Sequence, residues 1–497
     1  MEHFDVLVVG AGISGVGAGY HLQTLSPNKS YAIFEGRDAI GGTWDLFRYP
    51  GVRSDSDMYT LGFSFRPWKE AKAIADGPSI LSYLRETAKA FGIDRHIRYG
   101  RKVKRAAWDS ARSLWTVDYE SGPDRSMEQV TCGFLFMCAG YYNYAQGYRP
   151  PFAGEEQFRG RIVHPQAWPE DLDYAGKRVV VIGSGATAVT LVPEMARTAA
   201  HVAMLQRSPT YVVSRPAEDA FANRLRKWLP AKLAYDIVRW RNVLAQLYFF
   251  NFTRKRPEQV KTQLINMVRE QLGPDYDVGT HFTPRYNPWD QRLCLVPDAD
   301  LFEAIRTGAA SVVTDHVEAF EPDGIRLKSG QMLPADIIVT ATGLDMQLMG
   351  GLEVEVDGAP VELAKTFSYK AMMYSGVPNL ASTFGYTNAS WTLKADLTAE
   401  YVCRLLNHMD RRGFTECRPV NDEPLEAAPW LDFSSGYVTR AMHRFPKQGP
   451  KAPWRVYQNY ALDLMAFRYG RVDDGVMRFS KSAQAPVAES AGVKAAA

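Results

Sequence analysis

An α/β fold of two Rossmann-like units with a helical insertion is what this sequence predicts. Three stretches carry the prediction: FDVLVVGAGISG at the start, RVVVIGSGATA from Arg178, and the basic aromatic run RLRKWLPAKLAYDIVRWRNVLAQLYFFNFTRKR from Arg224. A chain of 497 residues is too long for a single core, so two or three domains are expected. Hydrophobic residues make up 46% and charged residues 23%, interspersed along the chain, which is the balance of a folded globular protein rather than a disordered one.

In the first stretch, the apolar run Val6–Val9 reads as a buried parallel strand. Gly10, Gly12 and Gly15 follow in G-x-G-x-x-G spacing and lead into a helix. The first glycine permits the tight turn, the second lets backbone approach a pyrophosphate, and the third lets helix and strand pack closely. The anion then rests on the helix N-terminus. A second strand, SYAIFE, ends in Glu35, twenty residues after Gly15, where a carboxylate accepts a hydrogen bond from a ribose 2′-hydroxyl. An adenine dinucleotide site is predicted here.

The second stretch repeats the pattern. Val179–Ile182 form the strand, and Gly183, Gly185 and Ala188 make the fingerprint in its G-x-G-x-x-A form. The next strand, in HVAMLQRSPT, ends in Arg207 where the first unit has Glu35. A carboxylate repels a 2′-phosphate, whereas an arginine clamps it with two hydrogen bonds. Arg207 therefore selects NADPH over NADH, with Ser208 and Thr210 as further hydroxyl donors. Opposite 2′ chemistry at the two sites argues for FAD in the first and NADPH in the second, a pairing that passes hydride from a nicotinamide to a flavin.

Composition narrows where the electrons go next. A net charge of +3 provides no field for nucleic acid. Cys132, Cys138, Cys294, Cys403 and Cys417 are scattered with no CxxC pair, which argues against a disulfide framework, a metal site and a dithiol acceptor. The N-terminus lacks the basic segment and cleavage site of a signal peptide, and no run approaches the ~20 apolar residues of a membrane span. A cytoplasmic location is expected. The acceptor is then an external one or molecular oxygen.

Between the two units lies FRGRIVHPQAWP. Phe158, Gly160, His164, Trp168 and Pro169 fit F-x-G-x-x-x-H-x-x-x-W-P in full, just ahead of the second fingerprint. This resembles the signature of type I Baeyer–Villiger monooxygenases; the related flavin-containing monooxygenases usually lack the Trp-Pro ending. GGTWDLFRYPGVRSDSDMYTLGF from Gly41, YNPWDQRLCLVPD and GYTNASWTLKAD extend the resemblance over nearly the whole chain, to the ethionamide-activating subgroup and to flavin monooxygenases of long-chain alkane breakdown.

The resemblance implies a flavin C4a-peroxide that inserts oxygen beside the carbonyl of a small apolar ketone and also oxidises sulfur. Arg292 in PWDQRLC occupies the place of the family's active-site arginine, and Asp55 in PGVRSD that of its acidic partner. FAD contacts are implied for Ile13, Ser14, Gly42, Thr43, Trp44, Asp55 and Tyr59, with Trp44 equally readable as a core aromatic. NADP contacts are implied for Ala186, Thr187, Ser208, Thr342 and Gly343. The Phe158–Pro169 fingerprint is read as the joint coupling the two units, with His164 outside the direct chemistry. Two other readings stay open: an oxygenase acting mainly on sulfur or nitrogen, and a redox sensor that binds both nucleotides without oxygenating.

The FAD domain is expected over 1–144 and 379–497, and the NADP domain over 150–213 and 293–378. The helical insertion, 214–292, would contribute to the substrate cavity. Ser390 or Thr392 is expected to cap a helix starting in NASWTLKAD. The basic insertion reads either as amphipathic helices with Lys and Arg in solvent or as loose attachment to a membrane surface. The Ala-, Ser- and Pro-rich tail after Ser480 is expected to be mobile. No motif specifies the substrate or the oligomeric state.

Overall fold

The computed structural model of the chain describes residues 1–481; the tail beyond lies outside the described residues. Strand β1 (His3–Val9) runs into helix α1 (Ile13–Leu25), which returns to β2 (Tyr31–Phe34). After a short helix α2 (Met58–Leu61) come β3 (Arg101–Asp109), β4 (Leu114–Ser121) and β5 (Ser126–Met137). β1 pairs in parallel with both β2 and β5, and its Val9 lies level with Phe34 and Met137. That register gathers Gly10, Glu35 and Cys138 at one edge of the sheet.

The chain then crosses to a second sheet: β6 (Arg161–Val163), β7 (Arg178–Ile182), helix α3 (Ala186–Met195) and β8 (His201–Gln206). The insertion follows, with α4 (Ala220–Trp228), α5 (Ala231–Lys255) and α6 (Pro257–Leu272). Its neck is closed by the parallel pairing of Val212–Arg215 with Cys294–Pro297. β9 (Ala310–Thr314) and β10 (Ile337–Thr340) complete five parallel strands in the order β9-β8-β7-β10-β6. Val179, Val181 and Val202 of these strands are buried in one core with Val192 of α3. This all-parallel sheet is covered on its faces, which is why its strands read as unbroken apolar runs.

The return to the first sheet corrects the expected boundary at 378–379. Strand β11 (Glu353–Val356) pairs in parallel with β3 and extends the first sheet, although it falls in the range assigned to the second unit. The open hydrogen-bonding edge of β3 takes the strand up, and nothing local in EVEVDGAPV distinguishes one sheet edge from another. β12 (Leu380–Ser382) then pairs with β5, and α7 (Trp391–Arg412) packs along α1. Ser390 stands at the α7 N-terminus without capping it through its side chain; its hydroxyl meets Thr60 Oγ1 at 2.6 Å instead. Thr392, the other expected cap, lies inside the helix and donates to the Leu61 carbonyl at 2.5 Å.

Candidate active site

The carboxyl edges of the two sheets face one cleft of about 1520 Å³. The same steric device builds both walls. Gly10 has φ +104°, and a Cβ there would lie 2.6 Å from the Cys138 carbonyl oxygen. Gly183 has φ +138°, and a Cβ there would run into the carbonyl oxygen of Ala341. Both turns therefore require glycine, and each drops the chain onto a helix whose N-terminus carries no side-chain cap. The free N–H groups of those first turns suit a pyrophosphate.

At the first edge Ile13, Ser14, Gly12, Gly42, Thr43 and Trp44 line the cleft. Glu35 is buried; its Oε2 accepts from Ala11 N–H at 2.8 Å and its Oε1 from Arg37 N–H at 2.9 Å. Burial raises its carboxyl above the usual range, against the pull of those two N–H donors. Each oxygen keeps a lone pair for a ribose hydroxyl. Gly15 packs against the Gly10 carbonyl, serving the helix–strand contact rather than the cleft wall. This edge fits an adenine dinucleotide. Tyr59 is a correction: as part of α2 it is buried, its ring 5.7 Å from that of Tyr235 on α5, and it does not line the cleft.

At the second edge Gly185, Ala186, Thr187, Ser208, Thr342 and Gly343 line the cleft, while Ala188 is buried in helix–strand packing. Arg207 is exposed, directly after β8, and has no ion pair among the described residues. A fixed cation left unpaired there suits a 2′-phosphate. Lys328 and Arg440 share this wall and escaped the sequence reading. Arg440 stacks 3.5 Å over the Tyr148 ring, and burial lowers its pKa, with Arg207 among the charges adding to that. Neither residue sits in a motif; only their placement on the wall marks them.

Where the two edges meet, Arg292 Nη2 lies 2.6 Å from Asp55 Oδ2, and each side chain is about a third exposed, at 32% and 31%. Asp55 comes from the segment between β2 and α2, held by Ser54 N–H to the Ala75 carbonyl at 2.9 Å. Arg292 comes from the neck of the insertion, two residues before the strand Cys294–Pro297. The Asp55 carboxylate, followed by the surrounding tyrosines Tyr141, Tyr437 and Tyr142, pushes the guanidinium pKa still higher against the cost of burial. The Tyr141 and Tyr142 hydroxyls meet at 3.0 Å. Tyr141 stacks on Trp391, whose Nε1 donates to Ser14 Oγ at 2.7 Å. These aromatic groups, with Tyr437, were also absent from the sequence reading.

The Phe158–Pro169 fingerprint lies behind this wall. A Cβ on Gly160 would strike the Asp336 carbonyl oxygen and the Phe158 ring, so glycine is what lets β6 dock beside β10. Phe158 packs on Phe320, and Trp168 packs partly buried on the core that holds Val179, Val181 and Val202, with Pro169 next to it. The His164 ring rests against Gly147, and burial lowers its pKa, opposed by the carbonyls of Tyr148 and Gly343. Those two carbonyls belong to the two chain crossings, which are themselves joined: Tyr148 N–H donates to the Gly343 carbonyl at 3.1 Å and Asn143 N–H to that of Asp345 at 2.9 Å. His164 thus sits at the joint of the crossings and off the cleft wall.

Two nucleotide-binding edges facing one cleft, with a fixed cation where they meet, define a two-nucleotide oxidoreductase. The chain matches the family described as flavin-binding monooxygenase-like over residues 4–255. It is 57% identical over 484 residues to the FAD-containing monooxygenase EthA of Mycobacterium tuberculosis (strain H37Rv), spanning 97% of this chain and 98% of that one. It is 48% identical over 483 residues to the probable FAD-binding monooxygenase AlmA of Acinetobacter baylyi, spanning 97% of each. A steroid monooxygenase bound to NADP superposes with a TM-score of 0.77 at 22% identity, over 96% of this chain and 100% of that one, which is a likeness of fold. The chain belongs to the flavin-binding monooxygenase-like family, in the subgroup that holds EthA and AlmA.

Proposed function

We propose that this protein is an FAD-containing, NADPH- and O2-dependent Baeyer–Villiger monooxygenase. Ketone, O2, NADPH and a proton give ester or lactone, NADP⁺ and water; sulfides and thioamides are oxidised at sulfur in the same site. The observation that carries this reading is the Arg292–Asp55 pair at the meeting point of the two edges. When bound, the flavin supplies a ring that accepts hydride from NADPH and activates dioxygen for transfer of one oxygen atom.

The residues divide the remaining work. Glu35 and the first turn of α1 hold FAD, while Arg207, Ser208 and Lys328 hold the 2′-phosphate of NADPH. Arg292 stays protonated at any working pH and stabilises negative charge that develops on oxygen during the transfer. Asp55 fixes the direction of that guanidinium. Tyr141, Tyr142 and Trp391 line the cleft beside it and keep water from the reacting atoms, which strengthens the Arg292 field. His164 positions the crossings that join the two units.

Product analysis tests the reading. The purified protein is given NADPH, O2, an aryl methyl ketone and a methyl aryl sulfide together, and products are identified by mass. Ester formed in near-equal amount to NADPH consumed supports it. Sulfoxide without ester moves the enzyme to heteroatom oxygenation. NADPH oxidation that no substrate accelerates, and no oxygenated product, leaves a redox sensor.

A further inference from the structure

Helix α5 has two unlike faces. Its inner face grips the segment that follows Asp55. Asn242 and Gln246 donate to Asp57 at 2.9 and 3.1 Å, and Arg239 donates to the carbonyls of Tyr59 and Gly62 at 2.7 and 2.8 Å. Its outer face carries Leu233, Ile237, Trp240, Leu244 and Tyr248, all exposed, at helical spacing along one stripe. Tyr248 is 72% exposed, and Trp228 at the end of α4 is 82% exposed. The Trp240 ring contacts Tyr460 of helix α8 (Tyr460–Leu464), and beside it Leu462 and Met465 are also exposed. Scattered exposed apolar residues are ordinary; a stripe of five along one helix face, Trp240 and Tyr248 among them, with Trp228 exposed at the end of the preceding helix, marks an interaction surface.

Charge says what kind. Residues 220–256 contain nine Lys and Arg and a single acid, Asp236. Lys232 pairs with Asp236, Arg241 with Asp219 and Arg254 with Asp290. Arg224, Lys227, Lys255 and Arg256 are exposed and have no ion pair among the described residues. The first two precede Trp228 on α4, and the last two follow Tyr248 at the C-terminal end of α5, so unpaired cations stand before and after the stripe along the chain. A second copy seated symmetrically on this face would bring the same charges together. An anionic lipid surface offers the complement: headgroups for the cations, acyl chains for the leucines, and the interfacial depth that Trp and Tyr prefer. Among the described residues no helix is long and apolar enough to cross a membrane.

We propose that the outer face of α5, with Trp228, is a docking surface for an anionic phospholipid bilayer, on which the protein lies without spanning it. Docking of this kind is independent of the reaction proposed above.

The test mixes the full-length protein with vesicles of phosphatidylglycerol and phosphatidylcholine, or of phosphatidylcholine alone, at low salt, and separates bound from free by flotation. The protein should partition at least about ten-fold better onto the anionic vesicles. Leu244→Glu/Tyr248→Glu should remove that preference while leaving the melting midpoint in place. Brominated phosphatidylglycerol should quench tryptophan emission, and Trp228→Phe/Trp240→Phe should abolish the quenching; this arm holds even if the glutamate variant folds poorly. Equal recovery in solution with both vesicle types overturns the proposal. So does anionic binding that survives the stripe substitutions without quenching, which would be charge alone. A dimer seen by light scattering that the glutamate variant disperses, with no vesicle binding, assigns the face to a second copy and overturns it as well.

Discussion

Arg292 and Asp55, far apart in the chain, meet at 2.6 Å between Nη2 and Oδ2. The contact ties the neck of the insertion to the segment after β2, so the fixed cation is held where the two nucleotide edges converge. Desolvating one partner of such a pair without the other is costly, and the geometry ties the orientation of each side chain to the presence of the other.

Arg292→Ala should therefore reduce ester and sulfoxide formation by about 10²–10³-fold, the usual loss for one charge-stabilising donor. NADPH oxidation should continue, with hydrogen peroxide replacing the oxygenated product. Asp55→Asn keeps the shape but loosens the guanidinium, and it should fall between wild type and Arg292→Ala. Measuring product and peroxide against NADPH consumed checks both; unchanged coupling in Arg292→Ala would remove the arginine from the chemistry.

Arg207 is exposed and unpaired among the described residues, so its loss should cost nothing in folding and act on the nucleotide alone. Charge-assisted hydrogen bonds contribute about 1.5–3 kcal/mol. Arg207→Ala should raise the KM for NADPH by about 10- to 100-fold and leave that for NADH nearly unchanged. Steady-state kinetics with the two nucleotides reads the ratio directly.

Gly160→Ala drives a Cβ into the Asp336 carbonyl oxygen at the β6–β10 contact. Overpacking of this kind costs about 1–3 kcal/mol. The melting midpoint should drop, and the drop should be reproduced without added nucleotide, since Gly160 does not line the cleft. A variant that melts with the wild type would mean the β6 edge yields freely.

Burial lowers the His164 pKa below its ordinary value of 6.5. A group depressed in the folded state contributes stability that is fully present above pH 6.5 and is lost as pH falls through the folded value. His164→Gln, which cannot take up the proton, should flatten the decline of stability below about pH 6.5 relative to wild type. Urea midpoints of both proteins from pH 7.5 to 5 test this; parallel decline would place the acid sensitivity elsewhere.

Much of the nucleotide-binding architecture is legible from sequence because it is local. Gly10 and Gly183 are each placed by a turn whose backbone leaves no room for a Cβ, and Glu35 and Arg207 directly follow their strands and line the cleft. Those constraints operate over a few residues, so a pattern of residue types carries them. Arg292 and Asp55 were marked by resemblance, but their contact depends on an insertion folding back over the segment between β2 and α2. Lys328 reaches the cleft from a turn, and Tyr437 and Arg440 from the short helix Gly436–Ala441, none of them in a motif; Tyr59, close to Asp55 in sequence, turns inward because α2 packs that side chain against α5. The strand Glu353–Val356 joins the first sheet rather than the second for the same reason: its alternation suits either edge, and only the open edge of β3 decides. Local sterics and periodicity were written in the sequence itself; which distant segments share a wall was decided by tertiary packing, where long-range contacts outweigh any preference of the segments alone.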